Sequence, residues 1–280
     1  MQNKKVWFIT GCSTGFGRAL VEQLLARGEK VVATSRKLNS LEYLNDKPES
    51  QLLKLELDVT ETAQIENAVK DALKKFGRID VLINNAGYGY VGALEEVSSE
   101  EIRKVFETNV FGLIEMTRAV LPQMRAQKSG HILNLSSVAG MVSAPGASIY
   151  GATKFAVEGI SEALAGEVAF FGIKVTLIEP GAFRTEFANR SLVTAPYHPD
   201  YNEALKTTRN YYETIGGQQP GDPEAAAKAM IELVDHPNPP LRLPMGKIAL
   251  GRIHKKLDQY LTEIETWQKV TLETDFPEHR

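Results

Sequence analysis

Apolar and polar positions alternate in a regular way along residues 6–180 of the chain. Short, almost unbroken apolar runs occur at Val6–Thr10, Val31–Thr34, Leu52–Leu57, Val81–Asn84, His131–Ser136 and Val175–Glu179. Between them lie longer stretches with apolar residues every three or four positions. Ala19, Leu20, Leu24 and Leu25 share one face of a helix predicted over Arg18–Arg27, which Gly28 stops. Ile65, Val69, Ala72, Leu73 and Phe76 do the same over Ala63–Phe76. Ser99–Gln127, with Pro122 near its end, and Tyr150–Phe171 read as two long helices, and Leu241–Leu243 as a candidate seventh strand. Continuous apolar strands alternating with helices predict an α/β fold: a doubly wound, seven-stranded, mostly parallel sheet with helices on both faces.

Residues 186–222 break this rhythm. They are polar, lack a clean period and carry four tyrosines: Tyr197, Tyr201, Tyr211 and Tyr212. An insertion of this kind is usually functional or mobile, and its aromatics are expected either to line a pocket or to pack on surface helices. Asp222-Pro223 then reads as a helix start, with Asp as N-cap and Pro at the first helical position. Ile253, Leu257, Tyr260, Ile264 and Trp267 give an amphipathic C-terminal helix whose stripe belongs to a core or an oligomer contact. No linker composition divides the chain. Residues 1–246 are therefore expected to form one domain that includes the insertion at 186–222. Residues 247–280 are expected to be a helical extension packed on that domain or at an oligomer interface.

Composition narrows the function classes. Hydrophobic residues are 43% of the 280 and charged residues 24%, which suits a folded chain with a sizeable core. A net charge of −3 gives no reason to expect a nucleic-acid or membrane-surface partner. The single cysteine, Cys12, leaves no intrachain disulfide. His131, His198, His236, His254 and His279 show no metal-ligand spacing. No apolar run is long enough for a membrane span, Val6–Ile9 is too short for a signal-peptide core, and residues 276–280 carry no retention or lipidation motif. The expected location is the cytoplasm.

Chemistry concentrates in two places. The first apolar run ends in Thr10-Gly11-Cys12-Ser13-Thr14-Gly15-Phe16-Gly17, and a helix follows. Glycines between a strand and a helix let backbone N–H groups approach a dinucleotide pyrophosphate at the helix N-terminus. The end of the second run, Thr34-Ser35-Arg36-Lys37, lacks the carboxylate that would bind the ribose hydroxyl of NAD, and offers Arg36 and Lys37 to a 2′-phosphate instead. NADP(H) is therefore favoured over NAD(H). The second place is Tyr150 and Lys154, one turn apart on one helix face. An ammonium beside a phenol favours the phenolate, so the pair is expected to lower the Tyr150 pKa and exchange protons with a carbonyl or alcohol oxygen. Ser137, just past the fifth strand, is placed to reach the same oxygen by hydrogen bond.

These motifs resemble the short-chain dehydrogenase/reductase family, in its subgroup of about 250 residues. The resemblance rests on the glycine loop, Asp58-Val59, Asn84-Asn85-Ala86-Gly87, Asn109, Ser137, Tyr150-x-x-x-Lys154 and Pro180-Gly181 with Thr185, in family order over residues 6–185. The wording of the glycine loop is similar, more weakly, to hydroxysteroid and retinol dehydrogenases. The resemblance implies a Rossmann-type fold and interconversion of a ketone or aldehyde with an alcohol. It implies a catalytic set of Ser137, Tyr150, Lys154 and Asn109, with Asn109 holding a water in a relay to Lys154. The implied cofactor residues are Gly11, Ser13, Thr14, Gly15, Phe16, Gly17, Ser35, Arg36, Lys37, Asp58, Val59, Asn85, Ala86, Gly87, Tyr150, Lys154, Pro180, Gly181, Phe183 and Thr185. Met141, Val142, Phe183 and Phe187 are available to line an apolar, moderately bulky substrate site. The family likeness also implies a homodimer or homotetramer through the helices at 99–127 and 150–171. An NAD-linked alcohol dehydrogenase and a non-catalytic dinucleotide sensor are the alternatives.

Overall fold

A computed structural model describes residues 4–276; the chain ends considered above, residues 1–3 and 277–280, lie outside the described residues. Seven strands, β1 (Val6–Ile9), β2 (Lys30–Ser35), β3 (Leu52–Glu56), β4 (Val81–Asn84), β6 (Gly130–Leu135), β7 (Ile173–Pro180) and β9 (Arg242–Met245), form one sheet in the order β3-β2-β1-β4-β6-β7-β9. Every pairing in it is parallel, so the expected "mostly parallel" sheet is wholly so. Phe8 in β1 sits opposite Val32 in β2 and Leu82 in β4.

Successive strand residues point to opposite faces. Trp7 and Ile9 join Leu20, Leu24 and Met230 on one side, under α1 (Gly15–Ala26) and α8 (Pro223–Asp235). Phe8 joins Ile65, Met116 and Val120 on the other, under α2 (Thr62–Phe76), α4 (Gly112–Gln127) and α5 (Ser148–Ala169). Both faces are buried, which is why the strands are apolar throughout. As expected, Asp222 caps α8: its Oδ1 accepts the Glu224 N–H at 2.8 Å.

Three elements differ from the sequence expectation. The stretch 99–127 is two helices, α3 (Ser99–Phe106) and α4, joined by a single wide turn at Glu107–Phe111 that has π-helical hydrogen bonding. Residues 89–91 form β5 (Gly89–Val91), which pairs in parallel with β8 (Leu192–Thr194) in a separate two-stranded sheet. The insertion is also more regular than its composition implies, holding β8, the short α6 (Phe187–Arg190) and α7 (Asn202–Thr214). The last helix, α9 (Lys247–Leu272), packs only at its start, through Ala249 and Ile253. No helix among the described residues is long and apolar enough to cross a membrane.

Candidate active site

The strand order reverses between β1 and β4, and the carboxyl ends of the strands flanking that point open into a cavity of about 1050 Å³. Its floor begins with the glycine loop. Gly11 has φ +71°, and a Cβ at Gly17 would lie 2.3 Å from the Gly11 carbonyl oxygen, so the turn closes onto α1 only without a side chain there. Thr14 precedes α1 without a side-chain cap, which leaves the first-turn N–H groups of α1 available to a ligand. Gly11, Ser13, Thr14, Gly15 and Phe16 line the cavity. Gly17 does not; it provides the close packing beneath the loop.

The Asn-Asn-Ala-Gly stretch fastens this loop to β4. Thr10 Oγ1 accepts the N–H groups of Asn85 and Ala86, each at 2.9 Å, and Asn85 Nδ2 donates to the Thr10 and Gly11 carbonyls, each at 2.8 Å. Behind it, Asn84 Nδ2 donates to Asn134 Oδ1 at 2.9 Å, and Asn134 Nδ2 to Ser161 Oγ at 2.8 Å, tying β4, β6 and α5 together in a buried chain. Asn85, Ala86 and Gly87 line the cavity, as do Ser35, Arg36, Asp58 and Val59 from the ends of β2 and β3. Lys37 is exposed and off the wall. It starts the helical turn Leu38–Leu44, and its carbonyl accepts the Ser40 hydroxyl. Cys12 is buried, and burial pushes its thiol up to about 12, so it is an inert core group.

On the other side of the reversal, Ser137, Tyr150, Lys154, Pro180, Gly181, Phe183 and Thr185 line the same cavity. Ser137 follows β6 in an extended conformation, its Oγ accepting the Ala139 N–H at 3.1 Å. Lys154 Nζ donates to the Leu135 carbonyl at 2.6 Å and lies 5.8 Å from the centre of the Tyr150 ring. Burial pulls Lys154 down to about 8, partly offset by Glu158 one turn on. The expected lowering of the Tyr150 pKa is not what this geometry gives. Burial pushes the phenol up, hydrogen bonding to Ser137 offsets part of that, and Tyr212 adds to it.

Asn109 sits in the wide turn between α3 and α4, beneath the wall. Its Nδ2 donates to the Tyr88 carbonyl at 2.8 Å and to Thr153 Oγ1 at 3.2 Å, and its Oδ1 accepts the Tyr88 N–H at 3.0 Å. A Cβ built on Gly87 would lie 3.0 Å from Asn109 Oδ1 and 4.0 Å from Lys154 Nζ, so both side chains flank that glycine.

The substrate expectations divide. Val142, Phe183 and Phe187 are on the wall, with the Phe187 ring 5.7 Å from Tyr150 and the Phe183 ring edge-on to Phe16 at 5.2 Å. Met141 is not: the turn Val138–Gly140 directs it against Val138, Ala249 and Ile253. Of the four insertion tyrosines, Tyr211 and Tyr212 face the cavity; Tyr197 and Tyr201 hydrogen-bond to Glu213 and Glu95 instead. Ile248 and Arg252, from the start of α9, also line it and carry no motif that marks them in the sequence.

The description "short chain dehydrogenase" is that of the family model that matches residues 5–194, more than half of the chain. The chain belongs to this family. A short-chain dehydrogenase from Streptomyces avermitilis has a crystal structure with TM-score 0.92 and 43% identity, covering 98% of this chain and 100% of that one. An oxidoreductase of Botryotinia fuckeliana, BOA17, is 38% identical over 96% of this chain and 98% of its own length. A 3-ketodihydrosphingosine reductase of Bacteroides thetaiotaomicron is 37% identical over 87% of this chain and 88% of its own. Among more distant structures, that of ElxO holds NADP (28% identity, TM-score 0.74, 89% of this chain and 100% of that one). A Burkholderia phymatum enzyme holds NAD (25% identity, TM-score 0.78, 92% and 95%). The protein is thus an oxidoreductase of a family whose structural neighbours bind either nicotinamide dinucleotide.

Proposed function

We propose that this short-chain dehydrogenase is an NADP(H)-dependent enzyme that interconverts a ketone or aldehyde with an alcohol. The observation that carries the reading is the single cavity that holds both the glycine loop with Arg36 and the Ser137–Tyr150–Lys154 group. The cradle suits the cofactor: the uncapped N–H groups of α1 would hold the pyrophosphate, Asp58 and Val59 the adenine, Arg36 the 2′-phosphate, and Pro180, Gly181 and Thr185 the nicotinamide, all of these residues lining the cavity. When bound, the nicotinamide supplies hydride in reduction and accepts it in oxidation. The chain supplies the proton. Tyr150 gives its hydroxyl proton to the carbonyl oxygen in reduction and takes it back in oxidation, while Ser137 donates a hydrogen bond to the same oxygen. Lys154 holds positive charge below the phenol, and Asn109 fixes the 87–88 backbone beside it.

The cofactor half is tested without a substrate. Titration with NADPH and with NADH, followed by nicotinamide fluorescence, should show at least tenfold tighter NADPH binding, about 1.4 kcal/mol. Arg36→Ala should remove that preference with little effect on NADH. Equal affinities in the unaltered protein would overturn the NADP(H) reading. Tyr150→Phe should lower carbonyl turnover by a factor of about 10²–10⁴ with an unchanged circular dichroism spectrum; near-normal turnover would overturn the proton-donor role.

A further inference from the structure

The cavity wall carries five cations, and their partners differ. Lys104 pairs with Glu100 at 2.7 Å, Arg190 pairs with Glu186 at 3.5 Å, and Lys154 is held by the Leu135 carbonyl. Arg36 and Arg252 make no ion pair with a carboxylate of the described residues. Arg36 lies at the end of β2, where the cofactor phosphate has its place in the reading above. Arg252 lies toward the opposite sheet edge, on the helix that follows β9.

Arg252 is firmly placed. Ala249 and Ile253 on either side of it are buried against Val138, and its Nη2 donates to the Val142 carbonyl at 2.9 Å. That bond engages one of the five N–H groups of the guanidinium. The cavity wall shared with it includes Val142, Phe187 and Ile248, together with Tyr211 and Tyr212. Its charge opposes the upward push that burial gives both phenols, and Tyr212 in turn acts on Tyr150, so the three lie within electrostatic reach of the reacting group. Arg252 is partly exposed at the cavity wall and makes no ion pair with a carboxylate of the described residues, so its remaining donors are open to an anion that enters the cavity. A carboxylate is the group its forked donors fit.

We infer that the substrate is an acid: a carbonyl compound or alcohol whose carboxylate pairs with Arg252 while its apolar body lies against Val142, Phe187 and Ile248 and its oxygen faces Tyr150. This rests on the oxidoreductase reading for the role of Tyr150, but the anion site itself is testable without turnover.

The test is calorimetric binding of straight-chain carboxylates, octanoate through hexadecanoate, against their methyl esters, to the full-length protein. At one chain length or more the acid should bind at least tenfold tighter than its ester, and the ratio should shrink as salt is raised. Arg252→Gln should bring the ratio to about one and Arg252→Lys should keep part of it, both still unfolding in one cooperative thermal transition, since the hydrogen bond lost is a single one to the Val142 carbonyl. Equal binding of acid and ester, or a ratio that survives in Arg252→Gln, would overturn the inference. NADPH oxidation with oxo acids and with neutral ketones separates the two readings. Acid-selective binding without turnover of either class removes the redox reading and leaves the anion site. Turnover of neutral ketones without acid preference removes the anion site and leaves the redox reading.

Discussion

Glu179 shows how a single buried group sets a pH response. It is the penultimate residue of β7 and almost fully inaccessible, and it shares Arg242 with Glu158 and Glu162. Burial pushes its carboxyl up to about 7, Glu158 adds to this, and Arg242 offsets part. A carboxyl whose folded pKa is raised contributes most below its unfolded pKa, and that contribution is lost as pH rises through the folded value. The protein should therefore lose roughly 1–3 kcal/mol between pH 5 and pH 8 from this residue, at about 1.4 kcal/mol per pKa unit. Glu179→Gln, which mimics the protonated form, should flatten that loss in urea titrations at the two pH values; an unchanged slope would contradict the argument. Nothing in the sequence marks Glu179, because its partner Arg242 is far along the chain. Ser137, Tyr150 and the glycine loop were legible because their chemistry is local: a turn at a strand end, or two side chains one helical turn apart. Arg252 and the misplaced Met141 were not, since their facing depends on how α9 meets the 138–142 turn.

Among the elements, a buried ion pair joins the insertion to the segment after β5, beside the β5–β8 pairing. Arg209 in α7 bonds Glu96, which follows β5, and its Nη1 donates to Asn202 Oδ1 at 2.7 Å. Glu96 also accepts the N–H groups of His198 and Ala93, each at 2.7 Å; burial pushes its carboxyl up, but these bonds and Arg209 outweigh that and hold it below the usual range. Removing one member of a buried pair leaves the other uncompensated, at a cost of about 3–5 kcal/mol. Arg209→Ala should therefore loosen α7 and the β5–β8 sheet while sparing the glycine loop. Limited trypsin digestion should cleave after Arg190 and Lys206 at least tenfold faster, with NADPH affinity nearly unchanged; cleavage at the original rate would show the pair to be dispensable. The main strands and α1, α2 and α5 could be read from periodicity because their apolar faces are long. β5 and β8, at three residues each, are too short to carry a period, and the turn at Glu107–Phe111 keeps apolar spacing on both sides. Its one trace in the sequence is Asn109, a buried polar residue inside a helical pattern.

At the scale of the whole molecule, the far part of α9, beyond Ile253, stands off the body. Every residue from His254 to Leu272 is exposed, although a helix this far from other elements has little stability of its own. Its apolar stripe continues in line from Ala249 and Ile253, which are buried, to Leu257, Tyr260, Ile264 and Trp267, which are between 43% and 62% exposed. The steps along it are three, four, three, four and three residues counted from Leu250, the 3.5-residue period of helices that pair with helices. A second copy of the chain supplies such a helix, and a two-fold pairing would cover both stripes at once. The prediction is that the protein self-associates along α9. Sedimentation velocity over a micromolar concentration series should show a dimer or larger assembly. The double substitution Leu257→Glu with Ile264→Glu should give a smaller assembly than the unaltered chain, because like charges would then face each other across the seam. Both residues lie outside the cavity, so NADPH binding should remain as a check that the body is folded. Equal assembly sizes, or a monomer in the unaltered protein, would mean that α9 is not held by a second copy.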